Sequence, residues 1–157
     1  MKKKFILIAL LIVSILSFTG CELNEEPILT DSGSVKMPLD TGVIIMEGHN
    51  RLFSLTADYP ILYISSIFSL TEKAPEIAYI GQVQDIVQIP LKTSDQFSTN
   101  CVIHNHGGYL VKIGLLKQGT NEVVPCVIKM KIDEGEKGAN KQPSEIYIQY
   151  EIYRNVK

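Results

Sequence analysis

The sequence predicts an all-β protein, an antiparallel β-sandwich. About eight short runs rich in Val, Ile, Tyr and Phe lie between residue 35 and residue 157, and each run has the length of a strand. Gly, Pro, Asn and Asp separate these runs roughly every 8–12 residues. No stretch of this region has the 3.6-residue periodicity of an amphipathic helix of three turns. A partly open β-barrel produces the same pattern and remains the alternative.

Residues 1–20 have the pattern of an export signal peptide. Lys2, Lys3 and Lys4 precede an apolar run over residues 5–18. This run is shorter than the approximately 20 apolar residues that a membrane-spanning helix needs. We therefore expect residues 1–20 to be removed rather than to anchor the chain.

Four residues, Phe18, Thr19, Gly20 and Cys21, close this segment. They resemble the lipobox of bacterial lipoproteins, in which an apolar residue and two small residues precede a cysteine; Phe18 stands where leucine is usual. The resemblance implies cleavage before Cys21, a diacylglycerol on its sulfur and an acyl chain such as palmitate on its amino group. The membrane is then a partner of the chain through Cys21. The alternative is an ordinary secretory leader that contains a cysteine.

Residues 21–34 are polar and predict a flexible tether. Its acidic start, residues 22–26, resembles the surface-export signal of Bacteroidetes lipoproteins, which implies display on the outside of the cell. A solvated spacer without an export role is the alternative. Ile28 and Leu29 are the apolar exceptions and could form a short paired segment within the tether.

Residues 35–157 are predicted to form a single domain. Alternating residues 35–39 and the apolar run 43–46 predict a first hairpin around a turn at residues 40–42. Another turn is expected at residues 47–50. Further strands are predicted at residues 52–56 and 61–68, on either side of an Asp-Tyr-Pro turn.

The middle of the domain is less regular. Residues 69–76 are the only place where a helical turn is expected, and Pro75 limits it. Strands are predicted at residues 77–83, with a bulge at Gly81, and at residues 86–91. A polar loop follows over residues 92–100.

The last third carries the clearest strand patterns. A tight turn is predicted at residues 105–108 because Asn and Gly adopt positive φ at little cost. Apolar residues then alternate with mostly polar ones over residues 109–115, 126–132 and 146–152. This succession of short alternating strands is typical of an immunoglobulin-like or similar sandwich.

Residues 77–132 resemble a group of uncharacterised Bacteroidetes lipoprotein domains. The matching pieces are the turn glycines and strand residues of 80–83, 86–90 and 106–111. The glutamine-containing middle piece departs from the glycine-containing version of that group. The resemblance implies a location in the cell envelope of a gut-type bacterium, and it carries no catalytic site to this chain.

Charge argues against a nucleic-acid partner. The chain has 15 basic and 17 acidic residues; loss of Lys2, Lys3 and Lys4 leaves 12 against 17, a net charge of −5. No basic patch interrupts this acidity, so neither nucleic acid nor anionic lipid is an expected partner.

Cysteine and histidine are the candidate site residues of the domain. Cys101 and Cys126 form an even pair in an exported chain, and we favour a disulfide between them over two buried thiols. His104 and His106 share one face of a strand and are weak candidates for a metal site. Exposed loop histidines are the better interpretation, because Cys101 falls on the opposite face and no second pair of ligands stands nearby.

Enzyme motifs are missing from the sequence. Neither a nucleophile elbow nor a phosphate-binding loop is present, and we expect neither a catalytic site nor a cofactor. Tyr147 and Tyr153 lie on the predicted outer face of the last strand, where cross-strand packing is their ordinary role and a ligand platform is the alternative.

These features favour a lipid-anchored outer membrane lipoprotein, displayed on the surface of the cell. We expect it to act as a non-enzymatic binding or structural accessory module with a protein or glycan ligand. The first alternative is a fimbrial or adhesin-type subunit that assembles by β-strand addition through Ile28 and Leu29. The second alternative is a small surface hydrolase.

Overall fold

The computed structural model describes residues 26–67, 74–91, 96–116, 120 and 122–156. The predicted signal peptide, Cys21, most of the acidic segment and most of the expected helical turn at residues 69–76 lie outside these ranges. Within them, no helix has both the length and the apolar character needed to cross a membrane.

The described residues form nine strands in two antiparallel sheets. The large sheet has the strand order β1-β9-β8-β7-β5, and the small sheet has the order β2-β3-β4-β6. The two antiparallel sheets pack as the β-sandwich that the sequence predicts. The strands are β1 (Ile28–Pro38), β2 (Val43–Glu47), β3 (Asn50–Asp58), β4 (Ile61–Ser66), β5 (Glu76–Gln82), β6 (Asn100–Val102), β7 (Gly107–Leu116), β8 (Val123–Glu134) and β9 (Glu145–Arg154).

The main core lies between the two sheets. Every second residue of the central strands points into it, because successive side chains of a strand face opposite sides. The alternation predicted for the last two long strands is confirmed, since the residues of β8 and β9 that were predicted to face inward lie in or against this core. Its fully buried members include Met37, Ile45, Phe53, Leu55, Leu62, Tyr109, Val111, Ile128, Met130, Ile132, Ile148 and Ile152.

The second half of the predicted tether is a strand. β1 begins at Ile28 and pairs with β9 from Ile28 opposite Arg154 to Pro38 opposite Glu145, with a bulge between Leu29 and Asp31. Residues 28–34 are mostly polar and lack the hydrophobic alternation from which a strand is predicted. As an edge strand with an exposed outer face, β1 needs few apolar residues to be stable.

The predicted first hairpin is also wrong. β1 belongs to the large sheet and β2 to the small sheet, so the turn at residues 40–42 is a corner between the sheets. Gly42 has a φ of +76°, and a Cβ there would lie 2.5 Å from the carbonyl oxygen of Leu55. The next predicted turn is correct, because β2 and β3 pair around Gly48 and His49.

The strand predicted at residues 86–91 is a single 3₁₀ turn, Ile86–Gln88. The Asp85 carboxylate accepts the backbone N–H of Val87 at 3.2 Å, and the Gln88 side chain accepts the N–H groups of Gln84 and Asp85. These bonds satisfy the start of the turn locally. The apolar residues of this segment serve a second core instead of a sheet.

The tight turn predicted at residues 105–108 is present. The positive φ, +57°, belongs to His106, whereas neither glycine of the turn has a positive φ. Gly108 is required for space, because a Cβ there would lie 3.0–3.2 Å from side-chain atoms of Val83 and Ile89. Gly108 therefore lies where the segment that contains Val83 and Ile89 packs closely on the sheet.

Cys101 and Cys126 do not form the predicted disulfide; both are free thiols. The hydroxyl of Tyr109 accepts the N–H of His104 and donates to the carbonyl of Val102, which places β6 and Cys101 at the Tyr109 end of β7. Cys126 instead lies opposite Ile113, four residues further along β7 and thus roughly 13 Å away. A disulfide requires Cα atoms within about 7 Å.

The two thiols should be unreactive in the folded protein. Burial raises the pKa of Cys101 and of Cys126 to about 12, so the reactive thiolate is scarce at pH 8. We expect the Cys21→Ala variant to gain no iodoacetamide adduct when native and two adducts when denatured without reductant. Intact-mass measurement distinguishes this from a disulfide, which gives no adduct until it is reduced.

Candidate binding groove

The outer face of the large sheet, which points away from the small sheet, carries ordered rows of polar side chains. The strand register places Ser34, Gln149 and Lys131 side by side across β1, β9 and β8. The next row along the strands is Lys36, Tyr147 and Asp133, and the row before it is Ser32, Glu151 and Lys129. Neighbouring strands are about 4.8 Å apart and rows about 6.8 Å apart, so this polar floor measures roughly 10 by 14 Å.

The segment after β5 forms a wall beside this floor. Val83 and Ile89 pack with Leu110, Val127 and Val156 in a second, smaller core on the outer face of the large sheet. The close approach of this segment to Gly108 sets it directly against the sheet. The wall therefore covers one half of the outer face and leaves the other half open.

Two adjoining cavities lie along the wall and the floor. The larger has a volume of about 560 Å³, and its neighbour has a volume of about 320 Å³. They share Ser34 and Gln149 and together form what we call the outer-face groove. The larger cavity also touches Ser32, Gln84, Asp85, Lys131 and Glu151, and the smaller one touches Lys36, Asp133 and Tyr147.

Asp133 holds two cationic or potentially cationic groups beside the groove. Its Oδ2 binds the ammonium of Lys131, and its Oδ1 accepts from Nδ1 of His106 at 2.6 Å. Lys131 is only 8% exposed, and such burial of a lysine is ordinarily found only with a partner. Burial acts to raise the pKa of Asp133, but the hydrogen bonds from Lys131 and His106 outweigh it and lower that pKa.

The other charges of the groove are also paired. Lys36 contacts Glu145 at 2.6 Å, and the hydroxyl of Tyr147 donates to the same carboxylate, also at 2.6 Å. Glu151 accepts from the hydroxyl of Tyr153 at 2.8 Å and lies 3.9 Å from the ammonium of Lys129. Asp85, which touches the larger cavity, is the exception among the described residues, because its carboxylate accepts the backbone N–H of Val87 and makes no ion pair.

Neutral hydrogen-bonding groups remain available. Among the described residues, the side chains of Ser34, Gln84 and Gln149 make no hydrogen bond to the protein. The hydroxyl and the two amides supply donors and acceptors for a ligand. The ring of Tyr147, 44% exposed, completes the open end of the groove.

Comparison with family models, curated proteins and solved structures found no match to this chain. The groove is therefore interpreted from its own residues.

The structure separates the two candidate metal ligands. The ring of His104 stacks on Tyr79 with centroids 4.2 Å apart, whereas His106 binds Asp133. Across the described residues, no group of three or more His, Cys, Asp or Glu side chains is arranged to hold a metal ion. The lipidation candidate, Cys21, lies outside the described residues.

Sequence reasoning found part of this groove. It placed Tyr147 and Tyr153 on the outer face, and both lie there, although Tyr153 also packs against the second core. It missed Ser32 and Ser34, which it assigned to the tether. The alternation of small polar residues in Ser32, Ser34 and Lys36 was the available signal.

The contacts of Asp133 predict a loss of stability in acid. Its folded-state pKa is below its ordinary value of 3.8, so its contribution is present above that value and is lost as the pH falls through the folded pKa. We expect the difference in unfolding free energy between the wild type and Asp133→Asn to shrink as the pH falls below about 4. Urea unfolding at each pH measures this difference, and a constant difference would contradict the assignment.

Proposed function

We propose that this chain is a lipid-anchored, surface-displayed and non-enzymatic binding module of the cell envelope. The observation that carries the binding role is the outer-face groove, in which most of the charged side chains are paired and neutral hydrogen-bonding groups are exposed. Its two cavities have the size of ordinary ligand sites. The side chains of Ser34, Gln84 and Gln149 are exposed to solvent, so their polar groups are accessible to a ligand.

The chemistry of the groove supports binding rather than catalysis. His106 and Asp133 resemble a general base with its orienting carboxylate. However, within the described ranges the ring of His106 makes no hydrogen bond to a serine, threonine or cysteine. Asp133 is also engaged by Lys131, and the two thiols have a raised pKa. A hydrolase is therefore the weaker interpretation.

The position of β1 fits an anchor at Cys21. Ile28 follows Cys21 by seven residues, which is at most about 25 Å of extended chain. The domain would therefore stay close to the membrane, with residues 26–29 and the end of β9 nearest to it and the turn at His106 furthest away. Such an orientation leaves the outer-face groove on the flank of the sandwich, open to ligands.

Strand addition is the second candidate. Ile28 and Leu29 are 53% and 50% exposed at the start of an edge strand, which favours contact with another chain. Several features of β1 oppose it. The segment already pairs with β9, Asp31 binds the N–H of Gly48 beside the free edge, and Pro38 removes a backbone donor at the far end.

Labelling and protease shaving test the anchoring and display. We expect the wild type to incorporate a palmitate analogue, to sediment with membranes and to be digested on intact cells. Cys21→Ala should lose the label and the sedimentation. Digestion only after lysis would contradict the proposed surface display. Absence of the label from the wild type would contradict the proposed lipid anchor.

A further inference from the structure

We propose that the outer-face groove binds an uncharged oligosaccharide. This inference rests on the proposed binding role of the groove and adds the class of its ligand. It follows from three features of the described residues: the pairing of the charges, the free neutral groups and the exposed aromatic ring.

The pairing of the lysines disfavours an anionic ligand. An anion such as a phosphate or an acidic sugar would need a free cation, yet Lys131 is held by Asp133 and Lys36 by Glu145. A cationic ligand would have to compete with Lys129 and Tyr153 for Glu151, and Asp85 is the only carboxylate among the described lining residues that makes no ion pair. An anionic ligand must therefore break an existing ion pair, whereas a neutral ligand leaves every pair intact.

The free groups match the chemistry of sugar hydroxyls. A sugar hydroxyl both donates and accepts, and so do the side chains of Ser34, Gln84 and Gln149. Ser34 and Gln149 are neighbours on the floor, shared by both cavities, and Gln84 faces them from the wall. A ligand that spans the shared residues would contact hydroxyl and amide groups from two sides.

Tyr147 supplies a platform for the apolar face of a sugar ring. Its hydroxyl is fixed by Glu145 at 2.6 Å, and the ammonium of Lys36 lies 5.8 Å from the ring centroid. The ring is therefore held at its hydroxyl edge, and 44% of the residue stays exposed. A fixed, exposed aromatic ring costs little ordering entropy when a ligand stacks on it.

The dimensions favour a short chain over a single ring. The stacking position at Tyr147 lies one row from Gln149 and two rows from Glu151, which spans roughly 14 Å. The two cavities continue along this line and open to the side. A linear oligosaccharide could therefore occupy the platform and the polar floor at the same time.

A glycan array and titration calorimetry test this inference. The probe set contains uncharged glucans, mannans, xylans and galactans, with acidic polysaccharides and neutral peptides as separate arms. The protein is the full chain with Cys21→Ala. We expect binding to at least one uncharged glycan, with affinity reduced about tenfold or more by Tyr147→Ala and by Gln149→Ala.

A matched control comes from the other sheet. Tyr63 is a similarly exposed tyrosine, 40% exposed, on the small sheet, and we expect Tyr63→Ala to leave the affinity unchanged. Binding only to acidic glycans or only to peptides would overturn the inference, as would equal affinity of Tyr147→Ala and the wild type. If the wild type is lipidated and surface-displayed but binds none of the glycans, this inference fails while the proposed location stands.

Discussion

Phe53→Ala is expected to lower the free energy of unfolding by about 3–5 kcal/mol. Phe53 is fully buried in β3, where it lies opposite Ile45 on one side and Ser66 on the other. It is among the largest fully buried side chains of the described residues. Its removal leaves a cavity between the two sheets that the surrounding residues can fill only in part.

Urea or thermal unfolding followed by circular dichroism measures this loss. Val87→Ala is the control, because Val87 is 68% exposed at the tip of the 3₁₀ turn and its truncation creates no cavity. A loss at Phe53 of less than about 1 kcal/mol, below the usual range for such a truncation, would mean that this residue is not between the sheets.

Asp133→Asn is expected to cost roughly 3 kcal/mol, the lower end of the range for breaking a buried ion pair. The substitution keeps the shape of the side chain but leaves the buried ammonium of Lys131 without its opposite charge. It also removes the charge that faces His106. The loss should appear as a lower midpoint of urea unfolding with an unchanged slope.

A double-mutant cycle separates the ion pair from other effects. Adding Lys131→Met to Asp133→Asn should restore most of the lost stability, because the unpaired charge is then absent. Glu145→Gln is the matched control, since it breaks the Lys36 pair on an exposed surface, and it should cause a much smaller loss. Equal losses from Asp133→Asn and Glu145→Gln would show that burial of Lys131 does not decide the effect.

The sequence predicted the fold correctly in those strands whose alternating apolar residues are the ones buried in the core. In β8 and β9 every second residue is apolar and faces the main core, and the residues between them, most of which are polar, face the opposite side, so period-two alternation identifies both strands and their faces. The same reasoning failed for β1. Its inner face is only partly buried over much of its length, and pairing with β9 rather than composition stabilises it.

The groove depends on contacts that are distant in sequence. Its floor combines Ser34 with Gln149, and its wall comes from Gln84 and Asp85. Local pattern cannot reveal which strand lies beside which, so it cannot assemble these residues. The apolar segment at residues 86–91 was misread for a related reason: Ile86, Ile89 and Leu91 pack on the face of a sheet made of strands distant in sequence, and such packing does not require a strand.

The strand order of the large sheet also constrains the order of events during biosynthesis. β9 lies between β1 and β8, so the first and last strands of the domain are direct neighbours. β1 has no partner in its own sheet until β9 has been synthesised, and closing so long a loop makes folding slow. A nascent chain of this kind can complete its large sheet only after β9 has emerged from the ribosome.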